Sequence, residues 1–186
     1  MNRLGTVKIN KFVSQSFQLI KIIFIATILG GLLIPQVVEA APITQSEIIK
    51  ETNQVRIKNG FLPLSVSVNL DLAAQNKVED MVSKNYWSHE TPDGKPFWYF
   101  VDKANYHWVN IGENLAANFK TSEGTLDAWL LSSSHRKNIL NTKYDEIGVG
   151  VKDNIVVVLY GKENKSFVEQ IKKISSFFGQ FLVFRF

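Results

Sequence analysis

Two β-branched runs near the end of the chain, Glu146 to Val151 and Ile155 to Tyr160, are separated by Lys152, Asp153 and Asn154. Such residues suit a pleated surface and the polar break reverses the chain, so the pair predicts a β-hairpin. A hairpin must bury at least one face, and what precedes this one has helical spacing. Helical segments followed by a hairpin imply an α+β fold in which helices cover a small sheet.

The first helix is expected from about Gln45 to Asn59. Thr44 with Glu47 three residues on has the form of a capping box, and Ile48, Ile49, Thr52 and Val55 recur at helical spacing up to Gly60. Asn53 and Arg56 share one face of it, where solvent exposure and a buried hydrogen-bonding role are both open. Leu70, Ala73, Ala74, Lys77, Val78, Met81 and Val82 define a second amphipathic helix to about Asn85, capped by Ser67 or Asn69. Thr91-Pro92-Asp93-Gly94-Lys95 then carries the chemistry of a tight turn, which holds His89 on a rigid loop. Phe97 to Ala104 reads as a short helix stopped by Asn105. Tyr106 to Ile111 leads, extended, into Glu113. Ser122 is expected to cap a helix through Leu126, Trp129 and Leu130, and His135 to open a further turn finished by Ile139 and Leu140.

Residues 1–40 read as a secretory signal: Arg3, Lys8, Lys11 and Lys21 are its basic part, Ile22 to Ile34 is an uncharged apolar run of 13, and Pro35 breaks it. Small residues around Val38-Glu39-Ala40 place the mature start at Ala41. The run falls short of the roughly 20 residues that span a bilayer; an uncleaved anchor borrowing Phe17 to Ile20 is the alternative. Removing its four Lys/Arg and one Glu from the chain's 21 basic and 17 acidic residues leaves 17 against 16. The mature domain is therefore nearly neutral, which removes the electrostatic footing for a nucleic-acid partner. The chain has no cysteine, which excludes thiol catalysis, thiolate metal sites and disulfides. The 146 residues that follow the leader can bury enough surface to do without cross-links.

From Ser166 onward the composition changes. Six of the thirteen phenylalanines (Phe167, Phe177, Phe178, Phe181, Phe184, Phe186) lie in the last 21 residues. Val168, Ile171, Ile174 and Phe178 fit one helical stripe, with Lys172 and Lys173 off it. The uncharged run from Ile174 to Phe184 is 11 residues, too short to span a membrane. The favoured reading is a tail that packs on its own domain or a partner; the alternative is interfacial membrane attachment.

The polar residues that stand out are Glu113 and two histidines far from it in the chain, His89 before it and His135 after it. Two imidazoles and one carboxylate are the donor set of some catalytic zinc sites, but their spacing carries no metal motif, since no two share a helical turn. Ser132, Ser133 and Ser134 beside His135 read as a polar turn; adjacent residues rarely present a nucleophile to its base. His107, between Tyr106 and Trp108, is read as structural.

The ordered set Asn53-x-x-Arg56, Leu64, Leu70, Ala73-Ala74, Met81, Ser88-His89, Pro92-Asp93-Gly94, Gly112-Glu113-Asn114-Leu115-Ala116, Trp129-x-x-Ser132-x-x-His135-Arg136, Asn138-Ile139-Leu140 and Ile147-Gly148-Val149-Gly150 resembles the CAP superfamily, also called the SCP domain. That superfamily unites cysteine-rich secretory proteins, antigen 5 and pathogenesis-related proteins; the pattern looks closest to its cysteine-free bacterial branch. The match covers about residues 46–161, which sets a CAP domain over residues 41–165 between the leader and the Phe-rich tail. The resemblance implies an α-β-α sandwich, helices flanking a small antiparallel sheet, with a cleft in which two histidines and two glutamates hold a divalent metal in many members. His89 and His135 match the histidines and Glu113 the first glutamate. The second glutamate falls on Ser132, so the four-residue set is incomplete here.

Two functional readings follow from that resemblance. In the first, the chain is an exported, extracellular or cell-envelope, non-enzymatic module that binds a lipid, glycan or peptide through a cleft of His89, Glu113, Ser132 and His135, rimmed by Trp87, Trp98, Trp108 and Trp129. In the second it is a metal-assisted hydrolase of peptide or cell-envelope substrates, with zinc on His89, His135 and Glu113, or with Glu113 as general base. A third account keeps the fold and makes these residues a buried network that pins helices to the sheet. Membrane-surface contact through the N-terminal segment or residues 166–186 is a further expectation.

Overall fold

The computed structural model describes residues 42–183. The leader expected over residues 1–40, the mature start at Ala41 and the last three tail residues lie outside them. In chain order the elements are α1 (Gln45–Lys58), β1 (Ser65–Val66), α2 (Val68–Lys84), α3 (Trp98–Lys103), β2 (Trp108–Ala117), α4 (Ser122–Leu131), α5 (Ser133–Ile139), β3 (Glu146–Lys152), β4 (Ile155–Glu163) and α6 (Lys165–Val183). The sheet order is β1-β3-β4-β2, with β3–β4 and β4–β2 antiparallel and β1–β3 parallel.

Strand alternation divides the core in two. Val156, Val158 and Tyr160 of β4, with Ile147 and Val149 of β3, face Ile48, Leu126, Trp129 and Ile139 from α1, α4 and α5. Val157 and Leu159, with Leu115 of β2, face Leu70, Ala73, Ala74, Val78 and Met81 of α2 and Phe100 and Val101 of α3. The result is the expected α-β-α sandwich. The alternation Ile147-Gly148-Val149-Gly150 has a packing reason: a Cβ at Gly148 would meet the backbone of Leu70 and Asp71, and one at Gly150 the backbone of Ala74 and Gln75. Glycine on the strand and alanine on the helix let α2 lie directly on β3.

Side chains cap the part of β3 that β1 leaves open and the outer edge of β2. β1 covers only the start of β3, and further along the Val149 amide donates to Asp71 Oδ1 at 2.8 Å and the Val151 amide to Gln75 Oε1 at 3.3 Å. On the opposite edge, the outward carbonyls of alternate β2 residues each accept from a side chain. Ile111 O takes the Tyr144 hydroxyl (3.1 Å), Glu113 O the Asn138 amide (3.0 Å) and Leu115 O the Trp129 indole N–H (2.9 Å).

Thr44 caps α1 and Ser67 caps α2, and Asn85 ends α2 in the left-handed conformation at φ +51. Of the two readings of Asn53 and Arg56, the buried one holds. Asn53 bonds both the amide and the carbonyl of Leu64; Arg56, 2% exposed, donates to Leu62 O, Ile139 O and Asn141 O. Three boundaries differ from expectation. Thr121, not Ser122, caps α4, because Thr121 is extended and accepts from the Gly124 amide while Ser122 is already helical. α5 opens at Ser133, two residues before His135. The hairpin turn is only Asp153-Asn154, since Lys152 still pairs with Ile155, and Asp153 takes φ +53. His107, read as structural, packs edge-on against Phe167 at 4.7 Å, and its carbonyl accepts from the Asn164 amide.

Candidate functional site

β2 is an edge strand, so its side chains reach both layers and its rim is accessible from either side. Glu113 and Asn114 are neighbours on it, both buried, and they point to opposite faces. On the α2 face, Glu113 Oε1 meets His89 Nδ1 at 2.6 Å; the carboxylate side chain is 1% exposed and the imidazole 57%. Glu113 Oε2 is buried and has no hydrogen-bond partner among the described residues.

The His89 loop is set from both ends. Behind it, the turn expected at residues 91–95 forms: the Thr91 hydroxyl bonds Asp93 and accepts from the Lys95 amide, and Gly94 takes φ +76. In front, the Lys77 ammonium, fully buried, donates to the Tyr86 hydroxyl at 3.2 Å and to the carbonyls of Ser88 at 3.0 Å and His89 at 3.3 Å. The sequence places Lys77 on the apolar stripe of α2 without a role. A lysine at a core-facing position between Ala74 and Val78 was the available signal, since a buried cation needs partners.

The electrostatics follow from burial. Glu113 is pushed above the usual carboxylate range by desolvation, which outweighs the opposing pull of its bond to His89 and of Lys77. His89 is pushed up by its bond to Glu113. His135 is pushed down, first by burial and then by the charge of His89. The arrangement favours a proton held between His89 and Glu113 and a neutral His135.

On the other face the polar groups are amides and phenols. Asn114 Nδ2 donates to His135 O at 3.2 Å and to the Tyr160 hydroxyl at 3.4 Å, and its Oδ1 accepts from Asn138 Nδ2 at 2.9 Å. Asn138 also holds Glu113 O, so one side chain of α5 ties the two buried β2 residues together. His135 rides on the first turns of α5, half-buried, 6.5 Å from the Trp129 ring. The sequence quotes Asn114 and Asn138 only as parts of a pattern; their bonds depend on a strand and a helix that are distant in the chain.

Of the expected site residues, His89 and Glu113 are in direct contact and His135 lies across the β2 rim from them. Ser132 joins α4 to α5, where its hydroxyl pairs with that of Ser134 at 3.1 Å. Trp129 does not belong to an aromatic rim: at 2% exposure it is core, held by its bond to Leu115 O. Trp87 and Trp98 are exposed, and Trp108 bonds Asp102. Beside Ser134, a hollow of about 750 Å³ is lined by Asn110, Asn138, Asn141, Lys137, Lys143 and Tyr144 among others.

A three-layer α-β-α domain with an edge-strand glutamate bonded to a loop histidine, and a second histidine on the facing helix, is an SCP-type domain. The sequence matches the cysteine-rich secretory protein family over residues 49–159. The chain belongs to that family, the CAP superfamily. It is 38% identical over 107 residues to the uncharacterized protein YkwD of Bacillus subtilis (strain 168), covering 57% of this chain and 41% of that one, so it spans less than half of that relative's length. Among solved structures it resembles an extracellular SCP-domain protein from Bacillus anthracis str. Ames, with TM-score 0.62 and 26% identity over 67% of this chain and 45% of that one. It also resembles an outer surface protein of Borrelia burgdorferi, with TM-score 0.59 and 25% identity, covering 67% of this chain and 99% of that one. Among the described residues no helix is long and apolar enough to cross a membrane.

Proposed function

We propose that the protein is an exported, non-enzymatic binding module that takes its ligand at the β2 rim through His89, Glu113 and His135. The observation that carries this reading is the unpaired Glu113 Oε2. A buried carboxylate oxygen without a partner costs about 1–3 kcal/mol, a cost usually met where a ligand completes the hydrogen bonding. The ligand that fits presents a hydroxyl or amide N–H to Glu113 and an acceptor to the outward imidazole nitrogen of His89, as a cell-envelope glycan or peptide does. Extracellular and outer-surface proteins among the structural relatives support export.

The metal-assisted alternative draws on the same spare oxygen, but the donors do not converge. His89 Nδ1 is spent on Glu113, and among the described residues no group of three His, Cys, Asp or Glu is placed to hold a metal ion. Nor is a serine activated: Ser132 bonds Ser134, and no described serine hydroxyl bonds a histidine.

The test is calorimetric titration of soluble cell-wall glycopeptide fragments into the wild type, Glu113→Gln, His89→Ala and His135→Ala, with zinc titrated in parallel. Binding weakened at least tenfold in Glu113→Gln, at a temperature where that variant is fully folded, is the expected result. Equal affinity in all four proteins ends the rim-site reading and leaves these residues as a structural network. Stoichiometric zinc binding that vanishes in the two histidine variants would restore the metal reading.

A further inference from the structure

α6 is a 19-residue helix that leaves the sandwich directly after β4. Its start is fixed to the domain: Asn164 Oδ1 accepts from the Phe167 amide, the Asn164 amide donates to His107 O, and the Phe167 ring meets His107. The helix carries its apolar residues largely uncovered. Phe167 is 41% exposed, Ile171 45% and Ile174 57%, and from Lys165 to Ser176 only Val168 is half-buried.

These residues are not scattered. At 100° per residue, Phe167, Ile171 and Ile174 fall within about 60° of one another. Glu169, Ser176 and Lys165 lie on the opposite face, and Lys172 and Lys173 lie to its two sides, about 130° from the middle of the stripe. Phe177, Phe178 and Phe181 follow in the same helix. The segment has three lysines against one glutamate, and Glu169 is paired with Lys172 at 3.3 Å. An apolar stripe opposite a lysine-bearing polar face, in a helix not apolar enough to span a bilayer, matches an interfacial helix. The charge excess selects an anionic surface.

We infer that α6 is a membrane-interface helix that lays Ile171 and Ile174 into an anionic lipid surface, with Lys172 and Lys173 on the two flanks of its polar face supplying the attraction to the headgroups. This places the SCP domain against a membrane by its C-terminal end, whatever its leader does. It differs from the favoured sequence reading, in which the tail packs on its own domain or on a protein.

The chain has no cysteine, so one introduced thiol gives a unique label. The full chain carrying Ile174→Cys or Ser176→Cys, labelled with an environment-sensitive fluorophore, is mixed with phosphatidylglycerol-containing vesicles and with pure phosphatidylcholine vesicles. The expected result is a blue shift for the Ile174 probe on the anionic vesicles, quenching by spin-labelled lipid, and no shift for the Ser176 probe. Lys172→Gln and Lys173→Gln should each lower apparent affinity about fivefold at low salt. Because the probe sits in α6, insertion of the N-terminal segment alone does not produce this signal. No shift at Ile174 overturns the inference, as does a shift that grows with protein concentration without lipid, which would assign the face to a second copy. Equal shifts on both vesicle types overturn the choice of an anionic surface.

Discussion

Glu113 and Asn114 are adjacent, equally buried and polar, yet their surroundings differ in kind. Asn114 spends its amide nitrogen on His135 O and Tyr160 and its amide oxygen on Asn138. Glu113 has one oxygen on His89 and the other on nothing among the described residues. Asn114 itself has a partner for both its amide nitrogen and its amide oxygen, which is how a buried polar network specifies a fold. The Glu113 side is incomplete, carries charge, and opens through a half-exposed imidazole. Two residues of one strand thus differ in whether the fold alone completes their hydrogen bonding.

The comparison is sharpened most by Asn138→Ala, which leaves Glu113 O and Asn114 Oδ1 without a donor at once. It should cost about 2–4 kcal/mol, from two unsatisfied buried acceptors, read as a shift of the urea midpoint. A loss below about 0.5 kcal/mol, the range of an ordinary surface substitution, would show that the neutral side does not hold the fold. Lys77→Met tests the charged side and should cost less, about 1–2 kcal/mol, because the carbonyls of Ser88 and His89 lie on an exposed loop. It should also raise the proton affinity of Glu113 further, since Lys77 pulls it down, and weaken ligand binding more than its stability cost explains. If binding and stability fall together, Lys77 acts through the fold alone.

The smallest effect is in the two histidines. His89 is raised by its bond to Glu113, so the stability it contributes is complete below the ordinary imidazole pKa and is lost as pH rises through its folded value. His135 is lowered by burial, so its contribution runs the other way and is lost as pH falls through the ordinary imidazole range. An NMR titration should therefore give His89 the higher midpoint, and Glu113→Gln should lower that midpoint. The reverse order would mean that the two sides of β2 do not differ in the way their bonds imply.

Much of this molecule is legible without coordinates. The stripe of α2, the Thr44 cap, Ser67 as one of two candidate caps, the turn at residues 91–95 and the terminal hairpin follow from periodicity and turn chemistry, which act over a few residues. The site was legible only as an ordered pattern. That His89 touches Glu113 while His135 sits across the rim is set by which face of β2 each loop approaches, and no spacing encodes that. Trp129 was misplaced for the same reason: a tryptophan beside a polar turn looks like a rim residue until its indole is seen to reach the far edge of the strand. Lys77 was hidden by its stripe, since periodicity records that a position faces inward, not what an ammonium finds there.

The closed edges of the sheet constrain how this protein meets others. Its rim carbonyls on β2 are taken by Tyr144, Asn138 and Trp129, and the free amides of β3 by Asp71 and Gln75. An incoming extended peptide therefore finds a full ladder neither on β2 nor on β3, and recognition by strand addition is closed at those positions. The same capping blunts edge-to-edge polymerisation, a hazard for any sheet held together without disulfides.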